Sequence, residues 1–266
     1  MINMQVDAIL PAGGRISGAF AAEAGAEIKA LIELGGRTVL ERTLAALRAT
    51  GRVLRVVVIG PAEVAAHPGA RAADVVLPAG ASSPTNILRG IEWLRDAHGG
   101  SLPDRVLVLT TDLPFLTPQA IAGFLDACPP DAEICLPLIR RQEFEARFPG
   151  LSIDYVRLPD GELTMGCAFL VKPAAIIANR AIIERAFAAR KSQIAMVRLL
   201  GPAFILRFLT HRLTTAHIRR RCFELLGCDG VPIPGSAPEL AFDIDRPVEY
   251  RYARLNLSPD QGEAAA

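Results

Sequence analysis

Asp112 closes a short β-branched run, Arg105–Thr110, within the stretch Thr110-Thr111-Asp112-Leu113-Pro114. A carboxylate at the carboxyl end of a central strand stands where ligands bind in open α/β sheets. Asp243 and Asp245 belong to Phe242-Asp243-Ile244-Asp245-Arg246-Pro247. On a short strand, Leu240–Ile244, both aspartates share one face, because Leu240, Phe242 and Ile244 take the other. Carboxylates of this kind are the hard oxygen donors that Mg²⁺ prefers. Near the amino end, Leu10-Pro11-Ala12-Gly13-Gly14-Arg15 leaves a first strand into a loop. With no Cβ at Gly13 or Gly14, bare backbone N–H groups can approach phosphate oxygens. The loop contains neither the G-x-x-x-x-G-K-S/T of a Walker A motif nor the G-x-G-x-x-G of a dinucleotide site.

The elements that must position these groups alternate in type. Strands are expected over Val6–Leu10, Leu54–Ile59, Asp74–Leu77, Arg105–Thr110 and Glu133–Leu138, with helices over Val39–Ala49, Pro84–Ala97 and Pro118–Ala127. This alternation predicts an α/β fold with a mostly parallel central sheet flanked by helices. Thr38-Val39-Leu40-Glu41 reads as a capping box, and Ser83-Pro84 and Thr117-Pro118 as hydroxyl caps before a proline. Tyr155–Leu158 and Leu163–Val171 read as a hairpin turned at Pro159-Asp160-Gly161. Helices are then expected over Ala174–Ala189, Gln193–Leu200, Ala203–Arg212 and Ala216–Leu226, followed by the short strand and a last helix from Pro247. One domain, 1–258, is predicted, with a helical insertion at about 174–230 and a disordered tail at 259–266.

Composition narrows the class. A chain of 266 residues, 51% hydrophobic, is long enough to bury a full core, and a net charge of +1 argues against a nucleic-acid partner. Mean hydropathy is +0.30, yet no apolar run reaches the roughly 18–20 residues of a membrane span. No secretion signal is expected from the start, which has no basic residue and no cleavable apolar stretch, and five cysteines form no C-x-x-C pair. A cytoplasmic location is the expectation.

Lys29-Ala30-Leu31-Ile32-Glu33-Leu34-Gly35-Gly36-Arg37 adds a further piece between the glycine loop and the capped helix. In order, the glycine loop, this lysine segment, Asp112-Leu113-Pro114 and Asp243-Ile244-Asp245 resemble the MobA-like nucleotidyltransferases, a branch of the GT-A superfamily. The family pattern reads L-A-G-G/A-x-G-x-R-M-G, K-x-L-x-x-x-x-G-x-x-L, D-x-P and D-I-D-x-P-E-D/E. The resemblance covers roughly residues 6–175 and 238–252. It implies a GT-A, Rossmann-like fold and transfer of a nucleoside monophosphate from an NTP to a small phosphorylated acceptor, a sugar, alditol or cofactor phosphate. Mg²⁺ is the implied cofactor, with Asp112 and Asp243 as its ligands. Lys29 would hold the transferred phosphate, and Arg15 would touch the β- or γ-phosphate. Nucleotide contacts fall on Leu10, Ala12, Gly13, Gly14, Ser82 and Asn86, and Thr164-Met165-Gly166 lies where the acceptor would sit. The chain departs from the pattern at R-M-G: Arg15-Ile16-Ser17-Gly18 precedes an Ala-rich stretch, Ala19–Ile28, expected to form a helical turn over the triphosphate.

Each of these residues has a plainer reading. Asp112 can be a turn residue before Pro114, Asp245 a cap for the helix at Pro247, Asn86 a helix cap, and Lys29 a solvated lysine. Two other functions stand beside the first: a glycosyltransferase using a nucleotide sugar, although Thr111-Asp112-Leu113 lacks Asp-x-Asp there, and a catalytically idle nucleotide-binding module. His211, His217, Cys222 and Cys228 fit no zinc spacing. Between Glu184 and Glu224 the chain has no acid but many arginines interleaved with apolar residues. That segment, Arg185–Phe223, reads either as a basic face for an anionic membrane surface or as a helical subdomain packed on the sheet.

Overall fold

The computed structural model describes residues 4–189 and 198–257. Strand β1 (Val6–Pro11) pairs in parallel with β4 (Val53–Gly60) on one side and β6 (Val106–Leu109) on the other. Strand β5 (Val75–Pro78) extends the parallel half beyond β4. On the other flank β10 (Ala168–Val171) runs antiparallel between β6 and β7 (Ile134–Arg140). Strand β9 (Gly161–Met165) pairs with β7 and with β8 (Val156–Leu158). A small ribbon, β2 (Glu33–Leu34) with β3 (Arg37–Thr38), stands apart.

Both faces of β1 are covered, which is why its sequence reads as a continuous apolar run. Val6, Ala8 and Leu10 pack with Leu40, Leu44 and Leu47 of α2 (Val39–Ala49) and Ile121 and Phe124 of α5 (Pro118–Ala127). Ile9, on the opposite face, packs against Ile91 and Leu94 of α4 (Ser83–Ala97). The shorter helices are α1 (Gly18–Ala24), α3 (Ala62–Ala66), α6 (Arg141–Arg147), α7 (Pro173–Ala178) and α8 (Arg180–Ala189). After them come α9 (Pro202–Leu209), α10 (Thr215–Leu226) and α11 (Pro247–Asn256). Among the described residues no helix is long and apolar enough to cross a membrane.

The expected α/β sheet, its five parallel-half and central strands and its first three helices are present, with the capping box of Thr38 and Glu41 formed in full. Three expectations about caps and strands change, and the expected helix Ala174–Ala189 breaks at Asn179. Ser82, not Ser83, caps α4: its extended backbone turns its hydroxyl to accept from the Thr85 N–H, and Pro84 is the second helical residue. The expected strand Leu163–Val171 breaks at Gly166-Cys167, where the Cys167 N–H donates to the Leu240 carbonyl at 2.7 Å. The strand expected at Leu240–Ile244 does not form: a 3₁₀ turn occupies Pro238–Leu240, and the residues to Asp245 belong to no sheet. A strand that the sequence hid is β11 (Gly230–Pro234), parallel to β7. Pro232 and Pro234 argue against a strand, but β11 pairs on one side only, where proline is tolerated. The expected helix Gln193–Leu200 is described only at 198–200, and the tail 259–266 lies outside the described residues.

Two substitutions test this packing. A Cβ at Gly90 would meet three side-chain atoms of Ile9 at 2.8, 2.9 and 2.9 Å. Alanine gains about 0.5–1 kcal/mol of helix propensity, but overpacking costs about 1–3 kcal/mol, so Gly90→Ala is expected to lower the urea-unfolding free energy. A stabilised Gly90→Ala protein would contradict the close packing of α4 on β1. Thr38→Ala removes the cap of α2 and is expected to cost about 1 kcal/mol in the same measurement; an unchanged midpoint would mean that the cap contributes nothing.

Candidate active site

The order β5-β4-β1-β6 sets the location of the site. From β1 the chain moves outward to β4 and β5, then returns to the other side of β1 as β6. The loops after β1 and β6 therefore part in opposite directions and leave a crevice at their carboxyl ends, the usual ligand position in such sheets. Thr111 Oγ1 spans the two loops by donating to the Pro11 carbonyl at 3.2 Å. A cavity of about 720 Å³ opens there, walled by Gly13, Gly14, Lys29, Asn86, Asp112 and Asp243 among others. That is the size of a small-molecule site.

Lys29 reaches the cavity by a detour. The Ala-rich stretch after Arg15 folds out as α1 and turns back at Gly25, φ 69°. It returns antiparallel to the glycine loop: Ile16 N–H donates to the Glu27 carbonyl at 2.8 Å, and Lys29 N–H to the Gly14 carbonyl at 2.9 Å. Ile28, Ala30 and Ile32 are buried on either side and hold the backbone. The lysine stem lies against Gly14, where a Cβ would sit 3.3 Å from Lys29 Cδ. A Cβ at Gly13 would meet only open space, so that glycine leaves room on the cavity side.

The carboxylates are carried by hydrophobic anchors. Leu113 is fully buried in the main core, and Phe115 packs edge-on to Phe242 with ring centroids 4.7 Å apart. Phe242 also meets Phe148, from the end of α6, at 4.7 Å. Phe242 and Ile244 are both buried, which turns Asp243 and Asp245 toward the site without a sheet partner. The Ile244 N–H donates to the Asp112 carbonyl at 3.0 Å and ties the two segments directly.

As a result, one carboxylate oxygen each from Asp112, Asp243 and Asp245 lie within 4.8 Å of one another. The Lys29 ammonium donates to Asp112 Oδ2 at 3.0 Å and also to Asp245 Oδ1. Burial works against the charge on Lys29, but Asp112 and Asp245 outweigh it and hold its pKa above the ordinary value. Asp243 is pushed up to about 7, first by burial and then by the charges of Asp112 and Asp245. Asp112 Oδ1 is buried and has no hydrogen-bond partner among the described residues. A hard oxygen acceptor left unsatisfied in a cluster of three carboxylates fits a divalent cation.

The other candidate residues divide. Arg15 lines the cavity, half exposed, and its guanidinium pairs with Glu27 at 3.4 Å and Glu63 at 3.1 Å. Leu10 and Ala12 do not reach the cavity wall; both are fully buried in the main core. Ser82 lines the cavity while capping α4. Asn86 is buried to 6% exposure, and its Oδ1 accepts from the Gly80 N–H at 2.6 Å. Its carbonyl oxygen is thereby fixed, leaving the amide N–H donors for the cavity. At Gly166 the space is taken by the Leu240 carbonyl and Pro137, each 2.7 Å from where a Cβ would be. Asp245 proves to be a member of the cluster. Thr111, Cys167 and Phe187 also line the cavity and were not singled out in the sequence. Burial, with Asp243 and Asp112 nearby, pushes the Cys167 thiol up, so it stands there as a neutral thiol. Phe187 carries no local signal; only the placement of α8 brings it to the wall.

Known proteins share this fold. A hypothetical transferase from Thermus thermophilus is 32% identical, with a TM-score of 0.80 over 92% of this chain and 99% of its own. The 4-diphosphocytidyl-2C-methyl-D-erythritol synthase of Anaerococcus prevotii shares the fold at 13% identity, with a TM-score of 0.58 over 95% of this chain and 96% of its own. A nucleotidyl transferase from Methanothermobacter shares it at 18% identity, with a TM-score of 0.56 over 95% of this chain and 97% of its own. The family model for the MobA-like NTP transferase domain matches residues 8–226, and the chain belongs to that family.

Proposed function

We propose that this protein transfers a nucleoside monophosphate from an NTP to a small phosphorylated acceptor, with Mg²⁺ as cofactor. The observation that carries the reading is the buried, unpartnered Asp112 Oδ1 within a three-carboxylate cluster beside Lys29 and the glycine loop. In the reaction an acceptor phosphate oxygen attacks the α-phosphorus in line. A new P–O bond forms there, the bond to the β-phosphate oxygen breaks, and pyrophosphate leaves with that electron pair.

The chain's own groups meet the charges this creates. The loop at Gly13 and Gly14 offers backbone N–H donors to phosphate oxygens. Lys29, already ionised and held by Asp112 and Asp245, presents its ammonium to the transferred phosphate. Among the described residues Arg15 is tied only to exposed carboxylates, pairs worth roughly 0–1 kcal/mol, and can turn to the β- or γ-phosphate. Asn86 lines the cavity, and its amide donors would meet the base. Asp112 and Asp243 would hold Mg²⁺, which when bound supplies charge neutralisation on the phosphate oxygens.

Pyrophosphate release tests the reading with the four NTPs crossed against sugar, alditol and cofactor phosphates. One NTP with one acceptor class is expected to stand out. Hydrolysis of a nucleotide sugar without any NTP-dependent release would overturn the proposal. Asp112→Asn should remain folded and lose at least about a thousandfold in kcat; activity within tenfold of the wild type would remove Asp112 from the mechanism.

A further inference from the structure

The basic insertion divides into two parts that the sequence does not distinguish. One part is packed and paired. Phe204 of α9 and Ile218 of α10 lie against the buried cluster of Leu158, Leu163 and Leu213. The carboxylate of Asp160, in the β8–β9 turn, accepts from both the backbone N–H and the hydroxyl of Thr215, each at 2.8 Å. Arg219, Arg220 and Arg221 form the densest basic run, yet Arg219 pairs with Asp229 and the other two with Glu224.

The second part is neither packed nor paired. All seven residues from Leu206 to Arg212 are exposed. Leu206 is 63% exposed, Phe208 43% and Leu209 68%, and no residue of α9 is buried. After α9 the chain turns back through His211, φ 54°, and the Arg212 N–H donates to the Arg207 carbonyl at 2.7 Å. That bond brings the backbones of Arg207 and Arg212 together at the end of α9. Among the described residues neither arginine has an ion-pair partner, and no acid occurs between Glu184 and Glu224 to supply one.

We propose that the tip Leu206–Arg212 docks on an anionic phospholipid surface, with Leu206, Phe208 and Leu209 entering the headgroup boundary and Arg207 and Arg212 on the lipid phosphates. Charge complementarity selects this occupant: unpaired cations border the exposed apolar side chains, the combination that binds an anionic interface. Arg207 also borders a cleft lined by Phe204, His217 and Glu224, whereas the exposed Leu206, Phe208 and Leu209 lie outside that cleft's lining. Eight residues of helix reach about 12 Å, far short of the roughly 30 Å hydrocarbon core, so the contact lies on the surface and does not cross it. The docking is independent of the transfer chemistry.

Co-sedimentation of the full chain with phosphatidylcholine vesicles, with and without one third phosphatidylglycerol, tests the proposal. The protein should pellet with the anionic vesicles at low salt and be released by high salt. Arg207→Gln with Arg212→Gln should lower the partition coefficient about 25-fold, about fivefold per charge. Leu206→Ser with Leu209→Ser should lower it at least about tenfold. Thermal melting should not change in either variant, because all four side chains are exposed. Arg219→Gln, whose arginine is already paired, should pellet nearly as the wild type does. A protein that stays in the supernatant overturns the proposal. So does equal binding to neutral vesicles, or tip variants that pellet unchanged. A concentration-dependent dimer that Leu206→Ser with Leu209→Ser dissociates, without vesicle binding, would assign the tip to self-association and overturn it too.

Discussion

Three carboxylates brought within 4.8 Å of one another repel, and the ammonium of Lys29 is the positive charge that answers them. At an effective dielectric constant of about 20, each pair of full charges at such a distance costs roughly 3–4 kcal/mol. One lysine offsets only part of that. The remainder shows in Asp243, whose carboxyl is pushed up to about 7 by burial and by its two acidic neighbours. A site that concentrates negative charge around one cation, with a buried oxygen still unpartnered, is suited to further positive charge.

Such a cluster persists only because packing away from it imposes the geometry. Asp112 lies far in sequence from Asp243 and Asp245, and both segments are flanked by side chains buried elsewhere. Leu113 enters the main core, while Phe115 and Phe242 lock into the aromatic group with Phe148. The Ile244–Asp112 backbone hydrogen bond then fixes the spacing of the two acidic segments. On the other wall, α1 packs beside the last helix, with Phe20 and Tyr250 ring centroids 6.1 Å apart, and the chain returns along the glycine loop, so the longer insertion does not displace Lys29. The strand order supplies the crevice, and the hydrophobic anchors determine which groups face it.

The parallel half of the fold was legible because its signals are local. Thr38 with Glu41, Thr117 with Pro118, and the apolar runs of β1, β4 and β6 each specify their element over a few residues. The alternation around Asp243 was read correctly as a facing pattern but assigned to a strand. Burial of Phe242 and Ile244 produces that pattern whether or not a ladder forms, so periodicity alone does not separate the two cases. β11 was hidden by prolines that only an edge position tolerates. In the site, Asp112, Asp243, Asp245 and Lys29 were visible as residues because their motifs occur in a recognisable order. Leu10 and Ala12 carry the same motif yet face the core, since only the loop after the strand turns toward the crevice. Phe187 was invisible, because nothing near it in sequence relates α8 to the loop at Asp112.

Asp112 and Asp243 are proposed to form together a divalent-cation site in the crevice. Mn²⁺ titration followed by electron paramagnetic resonance, with a non-hydrolysable NTP analogue present, measures that site without requiring turnover or knowledge of the acceptor. One bound Mn²⁺ per chain is predicted, with its affinity reduced more than about tenfold by Asp112→Asn and by Asp243→Asn. Glu63→Gln, which removes only an exposed partner of Arg15, should leave that affinity unchanged. Mn²⁺ affinity that is the same in wild type, Asp112→Asn and Asp243→Asn would contradict the claim.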